Sequence, residues 1–226
     1  MIKRFFDIIF SFLALMFLLP IFIPVIIILR FSGEGEVFYR QERMGKGNKP
    51  FFITKFATML KNSPNMGTGG YTLQNDPRVL PIGKFLRKSK INEFPQFWDI
   101  FIGKMSFVGP RPQMTSVHDS YPTEYQEVLE HVTPGLTGIG SIFFRDEESI
   151  LTHAKDAEYT FKNEIIPSKV ELEKWYKDNH NFIIDILLII VTAWVVVFPS
   201  SNPLYTIFST IPKIKTENFG KKDKEN

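Results

Sequence analysis

Over residues 8–29 the chain carries no charge, with Lys3-Arg4 ahead of the run and Arg30 behind it. That length can cross a bilayer core, which takes roughly 20 apolar residues. Pro20 and Pro24 fall inside the run. Each lacks a backbone donor and crowds the preceding turn, so the pattern predicts a helix kinked there, able to enter one leaflet and leave by the same face. An ordinary spanning helix is the alternative, and basic residues at both ends do not orient it. Asp7 has Arg4 and Lys3 three and four residues back on the same helical face, which predicts an ion pair at headgroup level.

Beyond Arg30 the pattern shortens. Val37-Phe38-Tyr39-Arg40 and Phe51-Phe52-Ile53-Thr54 predict two short strands around the turn Gly45-Lys46-Gly47-Asn48. Residues 61–75 are polar and glycine-rich, and a loop of that length is expected to cover a site. Helical periodicity follows over 82–88, 93–102, 123–131, 157–165 and 168–177, the last two separated at Pro167. In the 93–102 helix Asn92 is the expected N-cap, Pro95 is tolerated in the first turn, and Gly103 ends it. A second apolar run, 182–198, holds one charge, Asp185. Its uncharged part, 186–198, is short for a span. It predicts a helix packed on the domain or lying in the interface, with a span starting near Phe182 as the alternative. The tail Lys221-Lys222-Asp223-Lys224-Glu225 is expected to fray.

Composition narrows the class. A mean hydropathy of -0.04 with 23% charged residues excludes a polytopic membrane protein, and 226 residues make one domain, or one domain plus membrane elements. The absence of Cys fits a reducing compartment and excludes disulfides and thiolate metal sites. A net charge of +3 suits an anionic membrane surface or a nucleotide substrate, and no nucleic-acid partner is expected. His118, His131, His153 and His180 have no metal-binding spacing and read as structural or surface residues.

The candidate chemistry lies in Lys90-Ile91-Asn92-Glu93-Phe94-Pro95-Gln96 and, shortly after, Met105-Ser106-Phe107-Val108-Gly109-Pro110-Arg111-Pro112. A carboxylate stands at a helix start, and an arginine between two prolines stands just past the helix end. Such groups can hold a metal-bound diphosphate. Arg111, with its backbone restricted by Pro110 and Pro112, suits bidentate phosphate binding, or equally a structural salt bridge. Glu93 suits Mg²⁺, or a favourable helix-dipole charge of roughly 0.3–1 kcal/mol.

These stretches join others in a fixed order: Lys3-Arg4-Phe5-Phe6-Asp7, Lys55-Phe56-Ala57-Thr58-Met59, Asn75-Asp76-Pro77-Arg78, Gly109-Pro110-Arg111-Pro112 and Pro134-Gly135-Leu136-Thr137-Gly138. On them the chain resembles the bacterial sugar transferases, small monotopic phosphoglycosyl transferases that load a sugar phosphate onto undecaprenyl phosphate. The resemblance implies an α+β, mostly helical fold. Its parts are a proline-kinked, re-entrant membrane helix over 1–30 and a cytosolic catalytic domain over 31–180, with a small β-hairpin and amphipathic interfacial helices. An apolar helix over 181–199 and a tail over 200–226 follow. Expected partners are a UDP-sugar, undecaprenyl phosphate and membrane lipid, with Mg²⁺ as cofactor, at the cytoplasmic face of a bacterial inner membrane. Self-association, as a homo-oligomer, is left open.

Residue by residue, the resemblance makes Glu93 catalytic and metal-binding, and Arg111 and Arg87 phosphate-binding. Lys55, Arg78 and Arg43 are further phosphate or uridine contacts, and Gly109, Pro110 and Pro112 support Arg111. The family's Asp nucleophile aligns with Asn92, whose amide oxygen is a poor nucleophile toward phosphorus. Lys104, Ala57 and Asp99 also depart from the family's usual residues. Three outcomes follow: Glu93 attacks or supports direct attack by the lipid phosphate; another carboxylate such as Asp76, Asp146 or Glu147 is brought in; or the chain is an inactive scaffold for glycan assembly. The Pro134–Gly138 segment suits close backbone approach to a ligand, or a tight turn.

Overall fold

In the computed structural model the first apolar run forms one helix, α1 (Ile2–Arg30), with Pro20 and Pro24 inside it. The described residues are 2–66, 76–118, 121–198, 201, 203–214 and 219. They divide into two units, Met1–Arg43 with Phe51–Met105, and Met44–Pro50 with Ser106–Asn226.

In the first unit, strands β1 (Phe38–Met44) and β2 (Pro50–Phe56) form the predicted antiparallel hairpin, longer than expected at both strands. Helix α2 (Pro81–Lys88) starts at a proline, where a missing N–H costs nothing. The core is made by Val25 and Leu29 from the end of α1, Phe56 from β2 and Leu86 from α2. Phe22 meets the Phe56 ring edge-on at 5.4 Å, and Phe38 stacks on it at 5.5 Å. Elsewhere α1 keeps Phe5, Phe12, Leu13, Phe17 and Ile23 exposed.

At its other end α1 is anchored through Arg4. It donates through Nη1 to the Ile100 carbonyl and through Nη2 to the Phe101 carbonyl, each at 2.6 Å. Those carbonyls end helix α3 (Gln96–Phe101), which Gly103 terminates at φ +86°, as the sequence predicts. Asn92 is not the N-cap of that helix. Lys90, at φ 60°, opens a separate 3-10 turn over Ile91–Glu93, and Asn92 lies buried within it. Pro95 is the reason. It has no N–H to bond back four residues to Ile91, so Phe94 donates to Ile91 at three-residue spacing and the α-helix begins later.

The second unit contains a pairing with no advance signal. β3 (Ser106–Val108) and β4 (Gly135–Thr137) run parallel, with Ser106 opposite Gly135 and Val108 opposite Thr137. Around them lie α4 (Thr115–His118), α5 (Thr123–His131), α6 (Ile139–Phe143), α7 (Glu147–His153), α8 (Ala157–Thr160), α9 (Ile166–Asn179), α10 (Phe182–Val197) and α11 (Leu204–Ile207). Tyr125 and Leu129 of α5, Ile139 of α6, and Ile166, Leu172 and Tyr176 of α9 are almost wholly buried. Glu173 of α9 is buried against Gly140 of α6, whose N–H donates to its carboxyl.

Pro167 does not break the chain as expected. Helix α8 runs into a π turn, Phe161–Ile165, and on into α9 with Pro167 in the first turn of α9. A widened turn is where a helix can accept a proline ring that would otherwise strike the carbonyl four residues back.

The second apolar run is α10. Asn181 caps it, its Oδ1 accepting from the N–H groups of Ile183 and Ile184 at 3.0 Å. Asp185, Leu188, Val191 and Val195 form its buried stripe, while Ile183, Ile190, Trp194 and Val197 face outward. The Tyr176 hydroxyl donates to Asp185 at 2.5 Å, which gives the one charge in this run a partner. Residues 221–225, expected to fray, lie outside the described residues.

Candidate functional site

Within the first unit, β2 and the turn before α3 bring together two of the expected residues. Lys55 Nζ stands 3.9 Å from Glu93 Oε1, with side-chain exposures of 15% and 16%, so the pair is accessible yet partly shielded. Asn92 is beside Glu93 in the same turn. Its Oδ1 is buried, and among the described residues no donor reaches it. Arg87, near the end of α2, is half-buried, and among the described residues its Nη1 contacts the Met59 sulfur at 3.9 Å. Its charge helps to hold the Asp76 carboxyl down, and its planar donors also suit an anionic ligand.

The strand carrying Lys55 is held in place by a residue the sequence reading mentioned only as a departure. Asp99 of α3 is 1% exposed, and its Oδ2 accepts from the Thr54 N–H at 2.7 Å. Burial pushes the Asp99 carboxyl above its ordinary pKa, partly opposed by the bond from the Thr54 N–H.

Arg78 is placed differently from the other candidates. It is 4% exposed, and it donates to both oxygens of Asp76 and to the carbonyls of Ser63 and Met66, the last two at 2.8 Å. The Arg78 guanidinium holds the Asp76 carboxyl below its usual range. Together they brace the two flanks of the polar loop, whose residues 67–75, including Asn75 of the recognised motif, lie outside the described residues. Arg43 bonds Gln41 Oε1 at 2.6 Å.

The second unit carries the Gly109-Pro110-Arg111-Pro112 motif. Gly109 N–H donates to the Thr137 carbonyl at 2.9 Å and Gly135 N–H to the Pro110 carbonyl at 3.0 Å. The Arg111 carbonyl accepts from the Tyr125 hydroxyl at 2.9 Å and from Gln113 Nε2 at 3.1 Å. Arg111 itself is half-buried and Pro112 buried. The backbone under Arg111 is therefore fixed from both sides. A Cβ built on Gly109 would lie 2.2 Å from the Thr133 carbonyl oxygen, and one on Gly138 would lie 2.2 Å from the Gly109 carbonyl oxygen. The glycines of 134–138 thus serve a main-chain seam against the Arg111 segment. Gly109→Ala is expected to destabilise the chain by roughly 3 kcal/mol or more, because backbone rather than a pliable side chain must move. Urea denaturation of the two proteins checks this.

A sequence profile described as bacterial sugar transferase matches residues 1–199. The chain belongs to that family. Among similar proteins, a UDP-N-acetylgalactosamine-undecaprenyl-phosphate N-acetylgalactosaminephosphotransferase of Aeromonas hydrophila is 31% identical over 193 residues, covering 84% of this chain and 42% of the relative. The exopolysaccharide production protein ExoY of Sinorhizobium fredii is 36% identical over 172 residues, covering 70% of this chain and 76% of the relative. A UDP-glucose:undecaprenyl-phosphate glucose-1-phosphate transferase of Klebsiella pneumoniae is 38% identical over 144 residues, 62% of this chain and 30% of that protein. The chain thus spans less than half the length of the first and third of these relatives, and about three quarters of ExoY.

Proposed function

We propose that this chain moves a sugar 1-phosphate from a UDP-sugar to undecaprenyl phosphate at a membrane surface, beginning assembly of a surface polysaccharide or glycoconjugate. The observation that carries the reading is the Lys55–Glu93 pair beside the buried, unpartnered Asn92 Oδ1, in a chain of this family. A lipid phosphate oxygen attacks the sugar-proximal phosphorus. The bond from that phosphorus to the bridging oxygen breaks, and UMP leaves with the electron pair. Asn92 has no ionised oxygen to form a covalent intermediate, so the reading favours direct attack.

Hard oxygen donors at 92 and 93 fit Mg²⁺, which prefers one or two carboxylates plus substrate phosphates. Glu93 and the Asn92 amide oxygen would hold the ion, and it would offset diphosphate charge. Lys55 and Arg87 are the proposed phosphate contacts of the first unit; Arg111 is, by itself, the anion-binding candidate of the second. Arg78 drops out of that set because its donors are already engaged inside the loop.

Membrane placement has its own support. A helix of 29 residues is about 44 Å long. Both of its ends touch the same unit, Arg4 at α3 and Leu29 at Phe56 and Leu86. That favours a re-entrant or surface-lying α1 over an upright span, with the domain on the cytoplasmic face of the inner membrane. Phe85, Trp98 and Ile102 of the same unit are exposed and suit an interfacial position.

The relatives' names give no support to the inactive-scaffold reading. The test is UMP release from a panel of UDP-sugars with Mg²⁺, with and without undecaprenyl phosphate, on wild type and Asn92→Asp. UMP that forms only when lipid is present is the expected result. UMP formed without lipid points to a covalent intermediate. Turnover by Asn92→Asp alone would overturn the reading for the natural chain.

A further inference from the structure

We infer that Arg4, on the membrane helix, is a positioning residue for the Lys55–Glu93 pair and acts through the C-terminal end of α3. The inference rests on the transferase reading for its kinetic consequences, but its structural basis is independent.

The carbonyls at the end of a helix have no partners within it, and a cation there complements the helix dipole. Arg4 supplies both, donating at 2.6 Å to each of Ile100 and Phe101 across 96 and 97 residues of sequence. Gly103 makes room for this. At φ +86° it turns the chain away, and a Cβ there would stand 3.1 Å from Arg4 Nη2. The Phe12 and Phe101 rings, 6.2 Å apart, extend the contact between α1 and α3.

The residue before Ile100 is Asp99, and its carboxylate holds the Thr54 N–H at 2.7 Å. Thr54 precedes Lys55, whose ammonium faces Glu93 at 3.9 Å. Glu93 lies in the turn leading into α3. Arg4 therefore grips Ile100 and Phe101 of the short helix whose adjacent residue, Asp99, grips Thr54 of β2. If the first grip is released, the end of α3 can shift, and Thr54 with Lys55 shifts against Glu93. A purely structural cap would alter stability alone. A positioning residue alters the rate at bound substrate.

Arg4→Ala is expected to lower kcat about 10- to 100-fold while the KM for the UDP-sugar stays within about two-fold, since small misplacements cost rate before binding. Arg4→Lys should recover part of kcat, and millimolar methylguanidinium should partly rescue Arg4→Ala. Gly103→Ala, which crowds the guanidinium, should show the same loss confined to kcat. Hydrogen exchange gives an arm independent of turnover: in Arg4→Ala the amides of Thr54 and of α3 should exchange faster while those of α5 do not change. If wild type releases no UMP, the transferase reading fails, and the exchange result still decides whether Arg4 holds Thr54 through α3. Unchanged exchange at Thr54, an unchanged kcat, or a loss matched by melting and insensitive to methylguanidinium would each overturn the inference.

Discussion

Glu93→Gln is expected to lower UMP release by about a thousandfold or more, ~4 kcal/mol of barrier, with the chain still folded. The substitution keeps the shape of the side chain and removes its charge. In the free protein it weakens one ion pair at 3.9 Å, a contact whose loss costs about 0–1 kcal/mol when solvent reaches both partners. In the reaction it removes the carboxylate proposed to hold Mg²⁺ on the diphosphate. The effect should therefore separate cleanly: melting temperature close to wild type, turnover near background. Retention of turnover within about tenfold would reduce Glu93 to a partner of Lys55 and a charge near a helix start.

The second large effect concerns stability. Glu173 is fully buried, and burial pushes its carboxyl up to about 8, opposed by the Gly140 N–H and the nearby Lys169 charge. Lys169 is itself bonded to Glu147. With a folded pKa near 8 and an ordinary value of 4.5, the folded state keeps a proton that the unfolded state releases. Stability from this group is complete below about pH 4.5, falls by roughly 1.4 kcal/mol per pH unit above it, and is lost once pH passes about 8. Near neutral pH the deficit is on the order of 3 kcal/mol. Glu173→Gln retains a carbonyl oxygen for the Gly140 N–H and cannot ionise. It should be more stable than wild type by about 4 kcal/mol at pH 8 and by less than about 1 kcal/mol at pH 5. Denaturation at pH 5, 6, 7, 8 and 9 reads this directly. Parallel curves for the two proteins would mean that Glu173 ionises in the fold at its ordinary pKa.

What could be read from the sequence followed the range of the interactions involved. Helix α5 falls on the predicted residues because Pro122 starts it and Tyr125, Val128 and Leu129 mark one buried face. The hairpin and α10 were equally legible, one from its Gly-containing turn and the other from the apolar run 182–198. Local reasoning failed where a proline rearranged bonds three or four residues away. Asn92 lost its capping role to the geometry Pro95 imposes, and Pro167 was absorbed by a π turn instead of ending a helix. The parallel β3–β4 pair was out of reach because three residues per strand are too few for alternation to register. In the candidate site, Glu93, Lys55 and Arg111 were named from motifs. The Arg4 clamp and the Asp99–Thr54 bond were not, because they join residues 96 and 45 positions apart. No local spacing could have marked them.

The glycine seam beneath Arg111 bears on how this protein can change over evolutionary time. Ordinary cores drift because a lost methyl group at one position can be made good by a gained one next to it. Between Gly109 and the Thr133–Gly138 segment the contact is main chain on main chain, with carbonyl oxygens where side chains would otherwise interdigitate. No neighbouring substitution can shorten a backbone. A side chain added at Gly109, Gly135 or Gly138 therefore meets backbone that a change in a neighbouring side chain does not move.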